Sequence, residues 1–312
     1  MGQHLLSRRG FSAGCAAWLS WPASWPAPAQ MGRVRSPART VKLPNDAVVT
    51  AVGQGAWHLG QGRHPEAVEQ DAILTGIALG MTLIDTSGNY GDGRSEQFLG
   101  HALVGERDRI FLVSKVESDE VEGDGILRAC DASLARLGTN RLDLYLLHSP
   151  VPSSQFAHVV AAFEQLRAAG KIRAWGVSNF DLGQMQDLFR VPNGDRCATN
   201  QIAYSLYNRR IERDVLPWCI QHNVPVMAYS PLGGDRHLVV HDRAVTDIAT
   251  QHRCSAAAIA LAWVIRSGHI IAIPESGSPA HTRENAQALS ISLRPQDFEA
   301  LATAYPGPSG AT

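Results

Sequence analysis

Short runs rich in β-branched residues return along the chain at intervals of roughly thirty residues, the size of a βαβ unit, and longer amphipathic stretches separate them. No feature restricts the fold more. The runs predict strands near Val48–Val52, Thr82–Asp85, Ile110–Ser114, Leu142–Leu147, Arg173–Val177, Thr199–Ala203, Pro225–Tyr229 and Ile270–Ile273. Helical patterns fall at Pro65–Leu79, Ser95–Leu103, Gly123–Leu137, Gln155–Ala168, Leu182–Phe189, Arg210–His222, Val239–Arg266 in one or two pieces, and His281–Leu289, with a last helix at Pro295–Ala304. In the third, Ile126, Leu127, Cys130, Leu134 and Leu137 share one face. Gly80, Gly138 and Gly170 stand where helix ends adopt left-handed backbone. Strands joined by such crossovers run parallel, and eight of them, each followed by a helix, define an α/β (β/α)8 TIM barrel. The first turn, Gly53-Gln54-Gly55-Ala56-Trp57, lacks the G-x-G-x-x-G of an open dinucleotide-binding sheet. Val41–Leu43 with Pro44-Asn45-Asp46 predicts an N-terminal β-hairpin closing the barrel bottom. The units show no self-similarity, so the chain is not a repeat array.

The first thirty residues differ from the rest: they hold no acid, the pair Arg8-Arg9, an uncharged apolar run and the sequence Ala27-Pro28-Ala29. That is the layout of a cleavable export signal, and Ser7-Arg8-Arg9-Gly10-Phe11 resembles the twin-arginine type that sends folded proteins to the periplasm. The expected organisation is a signal at 1–29, a linker at 30–40, a barrel at 41–305 and a tail at 306–312. The export machinery is then a partner of the precursor; an unused signal leaves the protein in the cytoplasm. No later segment offers the ~20 consecutive apolar residues of a membrane span, so no stable membrane anchor is expected. A net charge of -1 across 312 residues argues against nucleic acid and for a small-molecule partner. Cys130, Cys197, Cys219 and Cys254 are scattered without zinc-ligand spacing, so they read as packed thiols and no metal is expected.

A parallel barrel draws its reactive groups from the carboxyl ends of its strands. Four polar residues sit there: Asp85 after the second strand, Tyr90 on its loop, Lys115 after the third and His148 after the fourth. Singly each has a plainer role: a loop cap, a packed ring, a counter-ion for Asp85, a satisfied histidine at a strand end. Together they form an acid–base set, in which an ammonium beside a phenol favours phenolate, an aspartate holds the lysine, and an imidazole shares the substrate oxygen or relays a proton.

In the contexts LIDTSGNYG, FLVSKV and DLYLLHSP, this set resembles the catalytic tetrad of the aldo-keto reductase family, in the same order and on the same strands. GQGAWHLG, WGVSNF, TNQIAYS, AYSPLG and IPESGSPAHTRENAQAL are similar to family segments too, so the resemblance runs from about Val48 to near Leu289. It implies reduction of an aldehyde or ketone by hydride from a nicotinamide cofactor, with Tyr90 as the general acid. It further implies that Ser178, Asn179 and Gln201 bond the carboxamide and that Tyr229 stacks on the nicotinamide. Ser230, Leu232 and Gly233 would line the pyrophosphate, and Gly55, Ala56 and Trp57 the nicotinamide and substrate side. Asn285 would approach the adenine.

Two positions depart from the best-known branch: Glu275 stands where I-P-K-S has its lysine, and His281 where an arginine follows six residues on. Those cations hold the 2′-phosphate, so NADP(H) is the family default and NAD(H) a rival that Glu275 would suit, unless Ser276, Ser278 and Arg283 compensate. Trp57, Trp175, Tyr204 and Tyr207 are expected pocket walls. Little chain follows Pro295–Ala304, which implies a short specificity loop and a more open site; the barrel is expected to be monomeric or weakly associated. Two further readings stand beside reduction: a nicotinamide-binding sensor with little turnover, and an aldolase using Lys115 as a Schiff-base nucleophile.

Overall fold

The computed structural model describes residues 39–234 and 237–308. The expected export signal, nearly all of the linker and the end of the tail lie outside them. Strands β1 (Thr40–Lys42) and β2 (Val48–Thr50) form the hairpin, antiparallel with Val41 opposite Val49. Its inner side chains Val41, Leu43 and Val49 are buried.

Eight parallel strands follow: β3 (Gln54–Gly55), β4 (Leu83–Asp85), β5 (Phe111–Val116), β6 (Leu142–Leu147), β7 (Ile172–Ser178), β8 (Asn200–Ala203), β9 (Val226–Tyr229) and β10 (Ile270–Ala272). They pair in chain order, and parallel bridges from Val52 to Ala272 and from Gly55 to Glu275 bring the last strand back to the first. The fold is the expected (β/α)8 barrel, with one correction in its first strand. Val48–Val52 does not enter the barrel as one strand; β2 belongs to the hairpin and the barrel strand is the short β3. Val48, Val49 and Thr50 have the β-branched composition of either kind of strand, whereas β3 is built for close approach. A Cβ on Gly53 would lie 2.8 Å from the Leu83 carbonyl, and one on Gly55 3.1 Å from the Ile273 carbonyl.

Helices α1 (Glu66–Ala78), α2 (Arg94–Ala102), α3 (Gly125–Leu137), α4 (Phe156–Ala168), α5 (Leu182–Arg190) and α6 (Val215–Gln221) follow the first six barrel strands in turn. The expected Val239–Arg266 pattern divides into α7 (Arg243–His252) and α8 (Ala256–Val264), because Arg253 takes left-handed backbone and Ser255 starts a new helix by accepting from the Ala258 amide. Then come α9 (Pro279–Ala286) and α10 (Pro295–Ala304). Burial on both faces makes the central strands largely apolar; all six residues of β6 are buried, Asp143 being its one charged member. Each Leu or Val so enclosed contributes roughly 1.5–3 kcal/mol relative to exposure.

One buried carboxylate fixes the helices behind the second and third strands. Glu96 on α2, fully enclosed, accepts from Arg136 Nε on α3 at 2.6 Å and from Ser114 Oγ on β5 at 2.5 Å. Its neighbour Ser95 donates to the Ala56 carbonyl at 2.6 Å and so tethers the first barrel loop. The change Glu96→Ala strands a guanidinium and a hydroxyl, and is expected to lower stability by about 3 kcal/mol. Thermal unfolding should then shift down by roughly 6–12 °C; an unchanged midpoint would show that the network contributes nothing net.

Candidate active site

Side chains alternate faces along a strand, so Val113 and Lys115 of β5 point into the barrel while Ser114 points out to α2. Lys115 is almost wholly buried, and its ammonium donates to Asp85 Oδ2 at 2.8 Å, to the Thr86 carbonyl at 2.8 Å and to the Tyr90 hydroxyl at 3.0 Å. All three N–H groups are satisfied. Asp85 ends β4, and its other oxygen accepts from Gln201 Nε2 at 2.8 Å. Tyr90 arrives on the turn between β4 and α2, its ring 4.6 Å from the ammonium and edge-on to His148 at 5.7 Å.

Burial alone would strip charge from Lys115, but Asp85 and then Tyr90 outweigh it and hold the lysine above its ordinary value. Such a lysine stays an ammonium, which removes the nucleophilic amine that a Schiff-base aldolase requires. For Tyr90 the balance falls the other way from expectation. Burial raises its pKa, and the opposing pull of Lys115 does not cancel that rise, to which Asp85 and Glu117 add. The phenol therefore holds its proton through the neutral range instead of being primed as phenolate.

His148 follows β6, its amide bonded to the Val116 carbonyl at 2.9 Å. Its Nδ1 contacts the Glu117 carboxylate and lies 3.3 Å from Ser87 Oγ, which itself donates to Glu117 at 3.4 Å. Asn179, in left-handed backbone, donates to the His148 carbonyl at 3.3 Å and to Ser178 Oγ at 3.1 Å, and accepts from the Tyr229 hydroxyl at 2.9 Å. Ser178 in turn donates to the Gln201 carbonyl at 2.9 Å. Burial raises the Tyr229 phenol as well, opposed by Arg210.

These groups surround an open cavity of about 720 Å³ at the carboxyl ends of the strands. Asp85, Tyr90, His148, Gly55, Ala56, Trp57, Ser178, Asn179, Gln201, Tyr229, Ser230, Leu232 and Glu275 all line it; Lys115 lies beneath. Ser276 and His281 line an adjoining recess of about 220 Å³, which shares His58, Arg63 and Glu275 with the cavity. Asn285 is buried on α9 and lines neither. Gly233 turns into a separate groove while Gly234 takes its place in the cavity.

Three of the four expected pocket walls are corrected. Trp175 faces outward from β7, stacked on Phe163 at 5.5 Å and donating to Glu164 at 2.9 Å. Tyr204 is enclosed against Trp263, with Arg266 donating to its hydroxyl at 2.8 Å. Tyr207 is exposed in the groove shared with Arg209, Arg210 and Gly233. Of the four, Trp57 alone borders the cavity.

The structure also adds residues. Glu117 carried a signal, since the second position past Lys115 falls on the same face. His58, Arg63 and Ser87 carried none, because their places depend on loops. Glu275 is turned toward His58, whose Nδ1 lies 3.1 and 3.0 Å from its two oxygens; burial raises the carboxyl pKa, opposed by His58 and Arg63. Among the described residues the four cysteines are free, and burial pushes Cys130, Cys197 and Cys219 up to about 12, so they are inert. No group of metal-ligating side chains occurs among those residues.

A parallel barrel that presents a phenol on a buried lysine–aspartate pair, beside an imidazole and an amide-lined trough, defines an oxidoreductase that moves hydride to a carbonyl. The model for the Aldo/keto reductase family matches residues 51–306. The chain is 46% identical over 277 residues to the methylglyoxal reductase YeaE of Escherichia coli (strain K12), covering 88% of this chain and 97% of that protein. Two crystal structures of an aldo/keto reductase from Klebsiella pneumoniae, one in complex with NADP and acetate and one with NADPH, each superpose with a TM-score of 0.83 at 42% identity. They cover 87% and 88% of this chain, and the match spans 97% and 98% of theirs. The chain belongs to the aldo/keto reductase family, and it reduces aldehydes or ketones with a reduced nicotinamide cofactor.

Proposed function

We propose that the protein reduces small uncharged aldehydes, 2-oxoaldehydes such as methylglyoxal among them, using NADPH, with Tyr90 as the acid. The observation that carries this reading is the chain from Asp85 through Lys115 to Tyr90, ending on a protonated phenol in an open cavity. A nicotinamide fits the residues present: Gln201 Oε1 makes no bond to another described residue, and Tyr229 offers a half-buried ring beside the cavity. When bound, the cofactor supplies hydride to the carbonyl carbon. Tyr90 gives its proton to the carbonyl oxygen as the C=O π pair becomes an O–H bond; a solvent proton later restores the phenol. Lys115 steadies the phenolate, Asp85 keeps Lys115 charged and in place, and His148 orients the oxygen. Every group comes from one chain, which is consistent with a working monomer.

The change Tyr90→Phe keeps the ring and removes the proton, so turnover should fall by about 10²–10⁴-fold while NADPH binding persists. A variant with near-normal kcat would overturn the mechanism.

NADPH is favoured over NADH despite Glu275. Its carboxylate is occupied by His58, and Arg63 borders both the cavity and the recess without an ion pair among the described residues. Ser276 closes a turn with Ser278, at 3.1 Å from the Ser278 amide. Fluorescence titration should show NADPH binding more tightly than NADH, and Arg63→Ala should weaken NADPH roughly tenfold with little effect on NADH. Equal losses for the two cofactors would remove Arg63 from phosphate recognition.

We also propose that the precursor is exported folded, on the strength of the acid-free start, Arg8-Arg9 and Ala27-Pro28-Ala29. Mass spectrometry of a periplasmic extract should find a chain beginning at Gln30. Full-length protein confined to the cytoplasm would refute export.

A further inference from the structure

Glu117 has no part in the acid–base chain, yet it is the group closest to the imidazole that faces the carbonyl. Its carboxylate meets His148 Nδ1, with Ser87 Oγ donating to the same oxygen at 3.4 Å. The two side chains are partly enclosed, at 18% and 26% exposure, so solvent does not displace one from the other. An ionised carboxylate accepts and never donates, so the hydrogen in this contact belongs to Nδ1. The ring then has two states. When neutral it carries its only proton on Nδ1 and turns a lone pair at Nε2 toward the cavity. When protonated it presents N–H at Nε2.

We infer that Glu117 is a positioning residue that fixes the tautomer of His148 and so makes recognition of the carbonyl oxygen conditional on the protonation of that histidine. The inference rests on the reading that His148 faces the substrate oxygen. A lone pair at Nε2 repels a carbonyl oxygen, and an N–H there supports the negative charge that develops during hydride transfer. The groups around the imidazole are few. Tyr90 faces it from the turn after β4, Glu117 and Ser87 from the Nδ1 side, and Asn179 holds its backbone carbonyl, while Lys115 and Asp85 stand one step back behind Tyr90. Because Tyr90 keeps its proton through this range, a loss of activity near neutrality is not the loss of the acid. At the equivalent spot a glutamine acts differently. Its amide accepts from Nδ1–H or donates to bare Nδ1, and so frees the ring to carry its proton on Nε2 when neutral.

The decisive measurement needs no turnover. Protein labelled with ¹⁵N-histidine is examined by long-range ¹H–¹⁵N correlation at about pH 9, above the range in which imidazoles titrate, with His148→Asn assigning the signal. Wild type should show the Nδ1–H tautomer at His148, and Glu117→Gln should show a large share of Nε2–H. In parallel, wild-type kcat/KM for an uncharged aldehyde should fall as pH rises, and in Glu117→Gln this fall should flatten at unchanged NADPH affinity. An Nε2–H tautomer in wild type, or the same tautomer and the same pH profile in both proteins, overturns the proposal. The tautomer result stands apart from the role of Tyr90, so a failure of the reduction mechanism is seen separately in Tyr90→Phe.

Discussion

A charged ammonium enclosed within a barrel is the constraint that orders the mouth of this molecule. Lys115 is taken almost wholly out of water, and only a full set of acceptors makes that tolerable. Each acceptor comes from a different kind of structure: a strand end at Asp85, a backbone carbonyl at Thr86 and a turn at Tyr90. The lysine therefore fixes where the second barrel strand stops and how the following turn is folded. Asp85 passes the constraint on to Gln201 of β8 across the barrel. Asp85 also borders the cavity but is buried with both oxygens engaged, so the phenol is the member placed to exchange a proton with a ligand.

The opposite end of the barrel holds a similar acid in a structural setting. Asp143, near the start of β6, is buried, accepts from the Leu112 amide at 2.9 Å and pairs with Arg107 at 2.9 Å and Arg173 at 3.4 Å. It closes the lower rim with both of its oxygens engaged. Two buried aspartates on neighbouring parts of one sheet thus divide along the axis of the barrel, the lower for stability and the upper for chemistry.

How much of this was legible follows from which interactions are local. Strand ends announce themselves, since an apolar run that stops at a charged residue fixes both the strand and the direction of its last side chain; Asp85, Lys115 and His148 were readable for that reason. The same alternation places Trp175 on the outer face once Ser178 is taken as inward, and it places Glu117 inward with Lys115. Reading large aromatics as pocket walls overlooked that parity, and Trp175 went to α4 instead. Tyr204 and Tyr207 lie past the end of β8, where no period applies. The pairing of His58 with Glu275 spans 217 positions and depends on how the first and last loops meet, which no local pattern encodes.

That pairing and the one at Glu117 both bear on the charge around the cavity. With Lys115 buried and its donors satisfied, Glu275 and Arg63 line the cavity while Glu117 stands behind His148, and each of the two glutamates is set against an imidazole. A carboxylate-bearing carbonyl compound approaching Tyr90 would have Glu117 behind His148, with Arg63 among the residues that line the same cavity. An uncharged aldehyde needs only the hydrogen bonds that Tyr90 and His148 offer. The side chain that engages His148 Nδ1 thus also places an acidic group directly behind the imidazole that lines the cavity.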